Sequence, residues 1–180
     1  MTAIYVPLVR QAYDFSCGAA SLASILYYWG VWTGREPELY RKIGTTTCGT
    51  SGRGIMQYAK SVGLHVSYET NMSIERLQQL GQEGNTIILS IQAWVDPSVE
   101  ARMEDIWEDG HYVVFVGISA QDGLVYVMDP AVAGSYHSLT VPELLASWHD
   151  WSDDGETREF NTGIIIKGER AHPFILPVLD

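Results

Sequence analysis

Four residues of this chain have the side-chain types that cysteine-based nucleophilic catalysis requires. Cys17 stands near the start of the apolar run in QAYDFSCGAASLASILYYWG, and Gln11 lies six positions before it. His111 opens the segment HYVVFVGIS, and Asp129 closes the segment LVYVMD. A thiolate can act as a nucleophile, but it needs a base to relay protons and a group to orient that base. These residues are therefore the first candidates for a catalytic site.

Cys17 is predicted to begin a helix over residues 17–29, with Asp14 or Ser16 as its cap and Gly30 as its stop. The segment has hardly any polar face, which is typical of a helix buried on all sides. Unpaired N–H groups and the helix dipole favour an anion at a helix N-terminus, so this position favours the thiolate. A cysteine taken alone is more often a small buried hydrophobe.

The histidine and the aspartate each have an ordinary structural explanation as well. His111 follows a polar turn, and a histidine at a strand start is more often structural than catalytic. Asp129 precedes Pro130, and Asp-Pro commonly begins a turn. The chain order Gln, Cys, His, Asp nevertheless places the nucleophile on a helix and its partners on strands. That order resembles papain, in which a glutamine upstream of the cysteine helps to bind the oxyanion.

Composition limits the class of protein. The chain has 180 residues, 46% of them hydrophobic, which predicts a single compact domain over residues 1–180. A net charge of -11 argues against nucleic-acid binding, because phosphates require a basic surface. Cys17 and Cys48 are too few for a disulfide framework, and no two His or Cys residues have the spacing of metal ligands. We therefore expect no metal and no cofactor.

The sequence shows no segment for export or membrane insertion. The start, MTAIYVPLVRQ, lacks the basic residues and the long apolar run of a signal peptide. The longest apolar runs, such as YVVFVGI, have the length of strands. We expect a cytoplasmic protein without membrane insertion, in which both cysteines are reduced thiols.

The predicted elements follow the α+β pattern, with helices first and an antiparallel sheet after them. After an entry strand or arm in AIYVPLV, helices are predicted at residues 17–29 and 37–44 and in the segments GRGIMQYAKSVGL and SIERLQQLG. Strands are predicted in TIILSIQAW, HYVVFVGIS, GLVYVMD and TGIIIKG. Two further helices, DPSVEARMEDIW and TVPELLASWHDW, are predicted between these strands, the second with a capping box of Thr140 and Glu143.

The cysteine segment is similar to the cysteine box of the C39-type peptidases, the double-glycine peptidases that process bacteriocin leader peptides. The similarity continues in GTTTCGTSGRGIMQYAKSVGL, in GNTIILSIQ, and in TVPELLASW. GHYVVFVGI resembles the family's histidine box, and VYVMDPA resembles its aspartate box. The resemblance covers residues 11–168.

This resemblance implies a papain-like fold with the nucleophile at a helix N-terminus packed on an antiparallel sheet. It implies that Cys17 is the nucleophile, His111 the general base, Asp129 the group that orients His111, and Gln11 an oxyanion donor beside the backbone N–H of Cys17. The implied reaction is peptide-bond hydrolysis through an acyl-enzyme, and the implied partner is a peptide or protein substrate.

The chain also departs from the family pattern. Leader-processing members are usually fused to an exporter with membrane helices and an ATPase, and this chain has neither. Its GTSGRG segment is not a nucleotide-binding loop, because no Gly-Lys-Ser/Thr follows. We therefore expect a free-standing peptidase, and the sequence leaves open whether a separate transporter is its partner.

Two other functions compete with hydrolysis. An acyl- or peptidyl-transferase on the same fold would pass the acyl group to an amine, and the sequence does not separate it from a hydrolase. A non-catalytic peptide-binding module is the other alternative. Such modules usually lose the cysteine, whereas all four candidate residues are present here.

An acidic segment precedes the histidine. The predicted helix over residues 96–107 buries Val99, Met103, Ile106 and Trp107, and it aligns three glutamates at i, i+4 spacing, namely Glu100, Glu104 and Glu108. A solvated acidic face is the simple explanation. The alternative is a ridge that overhangs the cleft and attracts basic residues of a peptide.

Overall fold

The computed structural model describes residues 3–93, 102–132 and 136–169. Its helices are α1 (Cys17–Tyr28), α2 (Tyr40–Ile43), α3 (Gly52–Ser61), α4 (Ile74–Gln82) and α5 (Val141–Ser147), with 3-10 turns at Glu36–Leu39 and Met103–Asp105. Its strands are β1 (His65–Glu69), β2 (Thr86–Gln92), β3 (Gly110–Ser119), β4 (Leu124–Met128), β5 (Tyr136–Thr140), β6 (His149–Trp151), β7 (Arg158–Phe160) and β8 (Gly163–Lys167). Within these ranges, none of the helices has both the length and the apolar character needed to cross a membrane.

A six-stranded antiparallel sheet in the order β1-β8-β2-β3-β4-β5 forms the centre of the fold. Strand β2 pairs with β3 on one side and with β8 on the other, and it is buried along its whole length because apolar layers cover both of its faces. Strands β6 and β7 form a separate two-stranded sheet. The combination of helices with an antiparallel sheet confirms the predicted α+β class.

Both faces of the sheet are covered by apolar side chains. Successive strand residues alternate between faces, so each strand contributes to both layers. One face packs on α1 and α3 through a cluster that includes Leu22, Ile25, Leu26, Ile55, Val114 and Ile164. The other face packs on α4 and α5 through a cluster that includes Leu77, Leu80, Leu144, Val113 and Phe115.

Helix α1 is buried from Cys17 to Leu26, including its two serines. Buried hydroxyl groups need hydrogen-bond partners. The Ser21 hydroxyl donates to the backbone carbonyl of Tyr112 in β3, at 3.1 Å, and the Ser24 hydroxyl donates to the carbonyl of Pro7, at 2.6 Å. These bonds fix α1 against the sheet on one side and the N-terminal arm on the other.

The predicted acidic helix differs from the structure where it can be compared. Residues 94–101, and with them Val99 and Glu100, lie outside the described residues. Met103–Asp105 is a short 3-10 turn, and Ile106 is extended, so the prediction of a helix through Trp107 is wrong. The reason is tertiary, because Trp107 is buried against an aromatic group formed by His149, Trp151 and Phe160.

The last predicted helix is also too long. Its capping box of Thr140 and Glu143 is confirmed, but the helix ends at Ser147. Residues 149–151 form β6, in which His149 pairs with Phe160. The indole N–H of buried Trp148 donates to the Thr162 carbonyl at 2.8 Å, which draws the chain towards the β7–β8 segment. Strands β5, β6 and β7 were not predicted from the sequence. Of the two alternatives for AIYVPLV, a strand or an arm, the structure shows the arm.

The packing of α1 on the sheet generates a stability prediction. Leu22 is fully buried, whereas Leu145 on α5 is 46% exposed. Leu22→Ala should lower the free energy of unfolding by about 2–5 kcal/mol, because it removes buried contacts and leaves a cavity. Leu145→Ala, the matched control, should change it by less than about 0.5 kcal/mol. Chemical denaturation measures both values, and equal effects would contradict the burial of α1.

Candidate active site

The structure places Cys17, His111 and Asp129 in neighbouring positions although they come from distant segments. Cys17 is the first residue of α1 and is 7% exposed. His111 is the second residue of β3 and is 1% exposed, and Asp129 directly follows β4. The three elements meet because α1 packs on β3 and β3 pairs with β4.

The strand register explains how Asp129 reaches His111. Val114 of β3 pairs with Met128 of β4, so the next position places Asp129 opposite Val113 and diagonal to His111. Diagonal neighbours on one face of a sheet are within reach of long side chains. The Nε2 atom of His111 lies 2.7 Å from Oδ1 of Asp129, which also accepts the Ala131 N–H at 2.8 Å.

His111 is held between an aspartate and a thiol. Burial lowers the pKa of His111, but hydrogen bonds to Asp129 and Cys17 and the negative charges of both outweigh it and raise the pKa to about 9. Burial acts on Asp129 in the opposite sense, yet the hydrogen bond and charge of His111 hold the pKa of that carboxyl below its usual value. The arrangement therefore favours an imidazolium beside a carboxylate at neutral pH.

The first turn of α1 carries no side-chain cap within the described residues. Of the two predicted cap residues, Asp14 and Ser16, the N-cap position is held by Ser16. Its hydroxyl, however, bonds to the backbone of Tyr13 and not to the helix. It accepts the Tyr13 N–H at 3.1 Å and donates to the Tyr13 carbonyl at 3.0 Å. The backbone N–H groups beside Cys17 are therefore not occupied by a capping side chain.

Gly18 allows α1 to approach its neighbours closely. A Cβ atom at this position would lie 2.8 Å from Cβ of Thr50 and 3.1 Å from Cδ2 of Tyr112. Both distances are too short for ordinary contacts. The glycine after Cys17 is thus required by packing, in addition to any role in catalysis.

Gln11 lies in the loop before α1, and its backbone N–H donates to the Pro130 carbonyl at 3.0 Å. This bond joins the glutamine to the segment that carries Asp129. The side-chain Nε2 donates to the carbonyls of Tyr13 and Asp14, at 3.0 and 3.2 Å. In this structure the Gln11 amide therefore stabilises the loop that leads to Cys17.

Glu36 is a member of this neighbourhood that the sequence analysis missed. It is only 6% exposed, and the Tyr40 hydroxyl lies 2.8 and 3.0 Å from its two carboxylate oxygens. Burial raises the pKa of Glu36, and polar contacts with Tyr40, Ser16 and the backbone of Ala12 oppose that rise. The carboxylate thus anchors the loop before Cys17. A glutamate in REPELYRK resembles a surface residue, and the tyrosine four positions later is the only local signal.

A cleft of about 480 Å³ opens at the thiol, and Cys17, Thr50, Tyr112, Asp150 and Trp151 contribute to its lining. Cys48 also lines it, as a free and exposed thiol. Of the predicted glutamate ridge, Glu108 borders the cleft, whereas Glu104 is exposed and pairs with Arg102. Because Ile106 is extended, Glu104 and Glu108 do not stack at helical spacing.

The described residues contain no group of three or more His, Cys, Asp and Glu side chains arranged to hold a metal ion.

Comparisons with known proteins identify the family and the fold of the chain. The family model "Peptidase_C39 like family" matches residues 3–155. The double glycine motif protease from an AMS/PCAT transporter, solved with the leader peptide, is 20% identical and aligns over 92% of this chain and 93% of its own, with a TM-score of 0.64. The peptidase domain of Streptococcus ComA, a bifunctional ABC transporter involved in quorum sensing, is 17% identical over 92% and 100% of the two chains, with a TM-score of 0.64.

A C39-like peptidase family protein from Bacillus anthracis is 19% identical over 92% of this chain and 96% of its own, with a TM-score of 0.65. No curated protein sequence matches the chain. The fold is that of the papain-like C39 peptidase domains. The chain belongs to the Peptidase_C39 like family and is a cysteine peptidase.

The environment of His111 generates a titration prediction. We expect the His111 imidazole to titrate with a pKa of about 9, and Asp129→Asn or Cys17→Ala to lower that value, because each removes a negative partner. NMR of the ring resonances measures it directly. The matched control Asp122→Asn, on an exposed turn, should leave the His111 pKa unchanged. A wild-type pKa below the ordinary value of about 6.5 would contradict the assignment.

The same shift predicts how stability depends on pH. A histidine whose pKa is raised on folding stabilises the native state fully below its unfolded pKa of about 6.5. That contribution is lost as the pH rises through about 9. The free energy of unfolding, measured by chemical denaturation, should therefore fall over this range, and by less in Asp129→Asn.

Proposed function

We propose that Cys17, His111 and Asp129 form a catalytic triad that hydrolyses a peptide bond. The observation that carries the proposal is the buried imidazole of His111, bonded through Nε2 to Asp129 at 2.7 Å and hydrogen-bonded to the Cys17 thiol. Because Nε2 of His111 contacts the Asp129 carboxylate, the other ring nitrogen, Nδ1, is the one that contacts the Cys17 thiol. Cysteine peptidases use a nucleophile, a base and a group that orients the base, and here these would be the thiol, the imidazole and the carboxylate.

The proposed reaction begins from a thiolate on Cys17 beside a protonated His111, the ion pair formed when the imidazole holds the proton of the thiol. The thiolate attacks the carbonyl carbon of the scissile bond, and the peptide C–N bond breaks as His111 gives its proton to the leaving amine. Water then attacks the thioester carbonyl as His111 takes its proton, the C–S bond breaks, the carboxylic acid product leaves, and the thiolate beside protonated His111 is restored. Asp129 keeps the imidazole in one orientation and stabilises its charged form.

We further propose that the backbone N–H of Cys17 and the amide of Gln11 bind the oxyanion. The first donor is supported by the start of α1, where no capping side chain among the described residues accepts a hydrogen bond from the helix. Gln11 donates to two loop carbonyls in the resting structure, so its Nε2 must share or exchange one of these bonds when substrate binds.

The proposed substrate is a peptide with a double-glycine motif. The similar protease of the AMS/PCAT transporter carries that motif in its description and was solved with a leader peptide, and the similar ComA domain belongs to an ABC transporter. We propose the same class of peptide as the substrate of this chain. We also propose that residues 1–180 act as one peptidase unit in the cytoplasm, with a separate transporter as a candidate partner.

A labelling experiment tests the nucleophile. Iodoacetamide at mildly acidic pH should modify Cys17 faster than Cys48, although Cys17 is buried and Cys48 is exposed. Accessibility alone predicts the opposite order, so the result reports the thiolate stabilised by His111. Peptide mass spectrometry gives both rates, and Cys48→Ala removes the competing thiol. Faster labelling of Cys48, or peptide cleavage that persists in Cys17→Ala, would overturn the proposal.

The role of Gln11 has a separate test. Gln11→Ala should reduce kcat on a double-glycine peptide by about 10²–10³, the usual effect of losing one oxyanion donor. Labelling of Cys17 should stay close to wild type, because alkylation forms no oxyanion. Gln82→Ala, an exposed glutamine at the end of α4, is the matched control. Full activity in Gln11→Ala would leave the amide with a structural role in the loop alone.

A further inference from the structure

The cleft at Cys17 continues into a second cavity. That cavity, of about 490 Å³, extends towards Tyr68, Glu159 and Thr162, away from the thiol. The two cavities share six lining residues, namely Ser51, Tyr112, Asp150, Trp151, Ser152 and Asp153. Together they form a continuous groove that begins at the proposed nucleophile, and a bound peptide extending from Cys17 can enter it.

The charge of the groove is strongly one-sided. Its described lining includes the carboxylates of Glu108, Asp150, Asp153, Asp154 and Glu159, against one guanidinium, Arg53. None of these carboxylates belongs to an ion pair found among the described residues. Asp153 accepts the backbone N–H groups of Gly52 and Arg53, and Glu159 accepts the Tyr68 hydroxyl, so their donors are neutral.

Asp150 occupies the junction of the two cavities. Its carboxylate accepts hydrogen bonds from the Ser90 hydroxyl at 2.5 Å, the Trp151 N–H at 2.8 Å and the Gln92 amide at 3.3 Å. It lies against Gly110, the neighbour of His111, where a Cβ atom would be 2.7 Å from Oδ2. Burial raises the pKa of Asp150, and these hydrogen bonds offset only part of the rise. A half-buried carboxylate with neutral donors is stabilised when a cation binds beside it.

The walls of the groove suit the alkyl part of a long cationic side chain. Tyr68, Tyr112 and Trp151 present aromatic surface along it. Lysine and arginine stems pack on apolar surface while their charged ends reach polar groups. The chain itself gives an example, because the Arg158 guanidinium lies 4.5 Å from the ring centroid of Trp107 and 5.3 Å from that of Trp151.

The geometry points to a specificity subsite: Asp150 makes this groove select a lysine or arginine side chain of the peptide substrate. The inference rests on the proposed peptidase function and adds the class of residue that the substrate must carry. Asp150 contacts the bound side chain and takes no part in bond cleavage. The other carboxylates of the groove contribute a longer-range attraction that salt screens.

Asp150→Asn is the variant that tests this subsite with least disturbance. The asparagine Oδ1 can accept the Trp151 and Gln92 N–H groups, and its Nδ2 can donate to the Ser90 hydroxyl, which is also an acceptor. Asp122→Asn is the matched control, because it removes the same charge from an exposed turn, where Asn-Gly serves as well as Asp-Gly.

The probes are short fluorescent peptides with Gly-Gly at the centre and otherwise uncharged residues. One lysine is placed in turn at each position around the glycines, and each peptide has a partner with norleucine, which keeps the alkyl stem without the charge. We expect at least one lysine position to raise kcat/KM about tenfold over its norleucine partner. The preference should be lost in Asp150→Asn, persist in Asp122→Asn and weaken at high salt.

Binding to Cys17→Ala, measured by fluorescence anisotropy, separates this inference from the proposed hydrolysis. Cleavage without a lysine preference at any position, or a preference that survives Asp150→Asn, overturns the subsite alone. A lysine preference in binding, with no cleavage of any peptide by wild type, supports the subsite and contradicts the proposed hydrolysis. If Asp150→Asn does not fold, wild-type kcat/KM values decide the question, with glutamate peptides added to the lysine and norleucine sets. The subsite requires the order lysine, norleucine, glutamate, with smaller differences at high salt, and any other order overturns it.

Discussion

The close approach of the start of α1 to β3 is the constraint on which the candidate site depends. Cys17 and His111 are far apart in the sequence, and only this packing brings the thiol to the imidazole. Gly18 permits the approach because a Cβ atom would collide with Thr50, and the Ser21 hydroxyl fixes the helix to the backbone of β3. An apolar, fully buried α1 therefore serves as the support of a reactive group as well as part of the core.

The burial of His111 and the partial burial of Asp129 mean that this packing is stable only if their charges are matched. A buried imidazolium is unfavourable unless a negative group neutralises it, and the 2.7 Å contact with Asp129 supplies that group. The strand register that delivers Asp129 is thus as important for the site as the residue itself, because a shift by one residue would turn the carboxylate to the other face. The pairing of β3 with β4 places Asp129 beside His111, and this contact keeps the imidazole charged.

Residue types and local patterns were sufficient to predict the α+β class, the helix that begins at Cys17 and the strand that begins near His111. They could not supply contacts that depend on distant pairing. The burial of Glu36 against Tyr40, and the donation of the Gln11 amide to loop carbonyls, follow from how the loop folds before α1. The segment that ends at Trp107 is extended where a helix was predicted, because aromatic residues of β6 and β7 bury Trp107.

One of the two segments whose secondary structure was predicted wrongly, residues 149–151, also shapes the groove. Residues 149–151 follow α5 directly, and the local sequence favours a continued helix there. The pairing of β6 with β7 and the hydrogen bond of Trp148 to the Thr162 carbonyl override that preference. As an extended strand, β6 sets Asp150 against Gly110 and Trp151 beside the cleft. Natural sequences often break local rules where a site must be built. The extended backbone of β6 places a carboxylate and an aromatic ring next to the proposed nucleophile, and a continued helix would lose this pairing with β7.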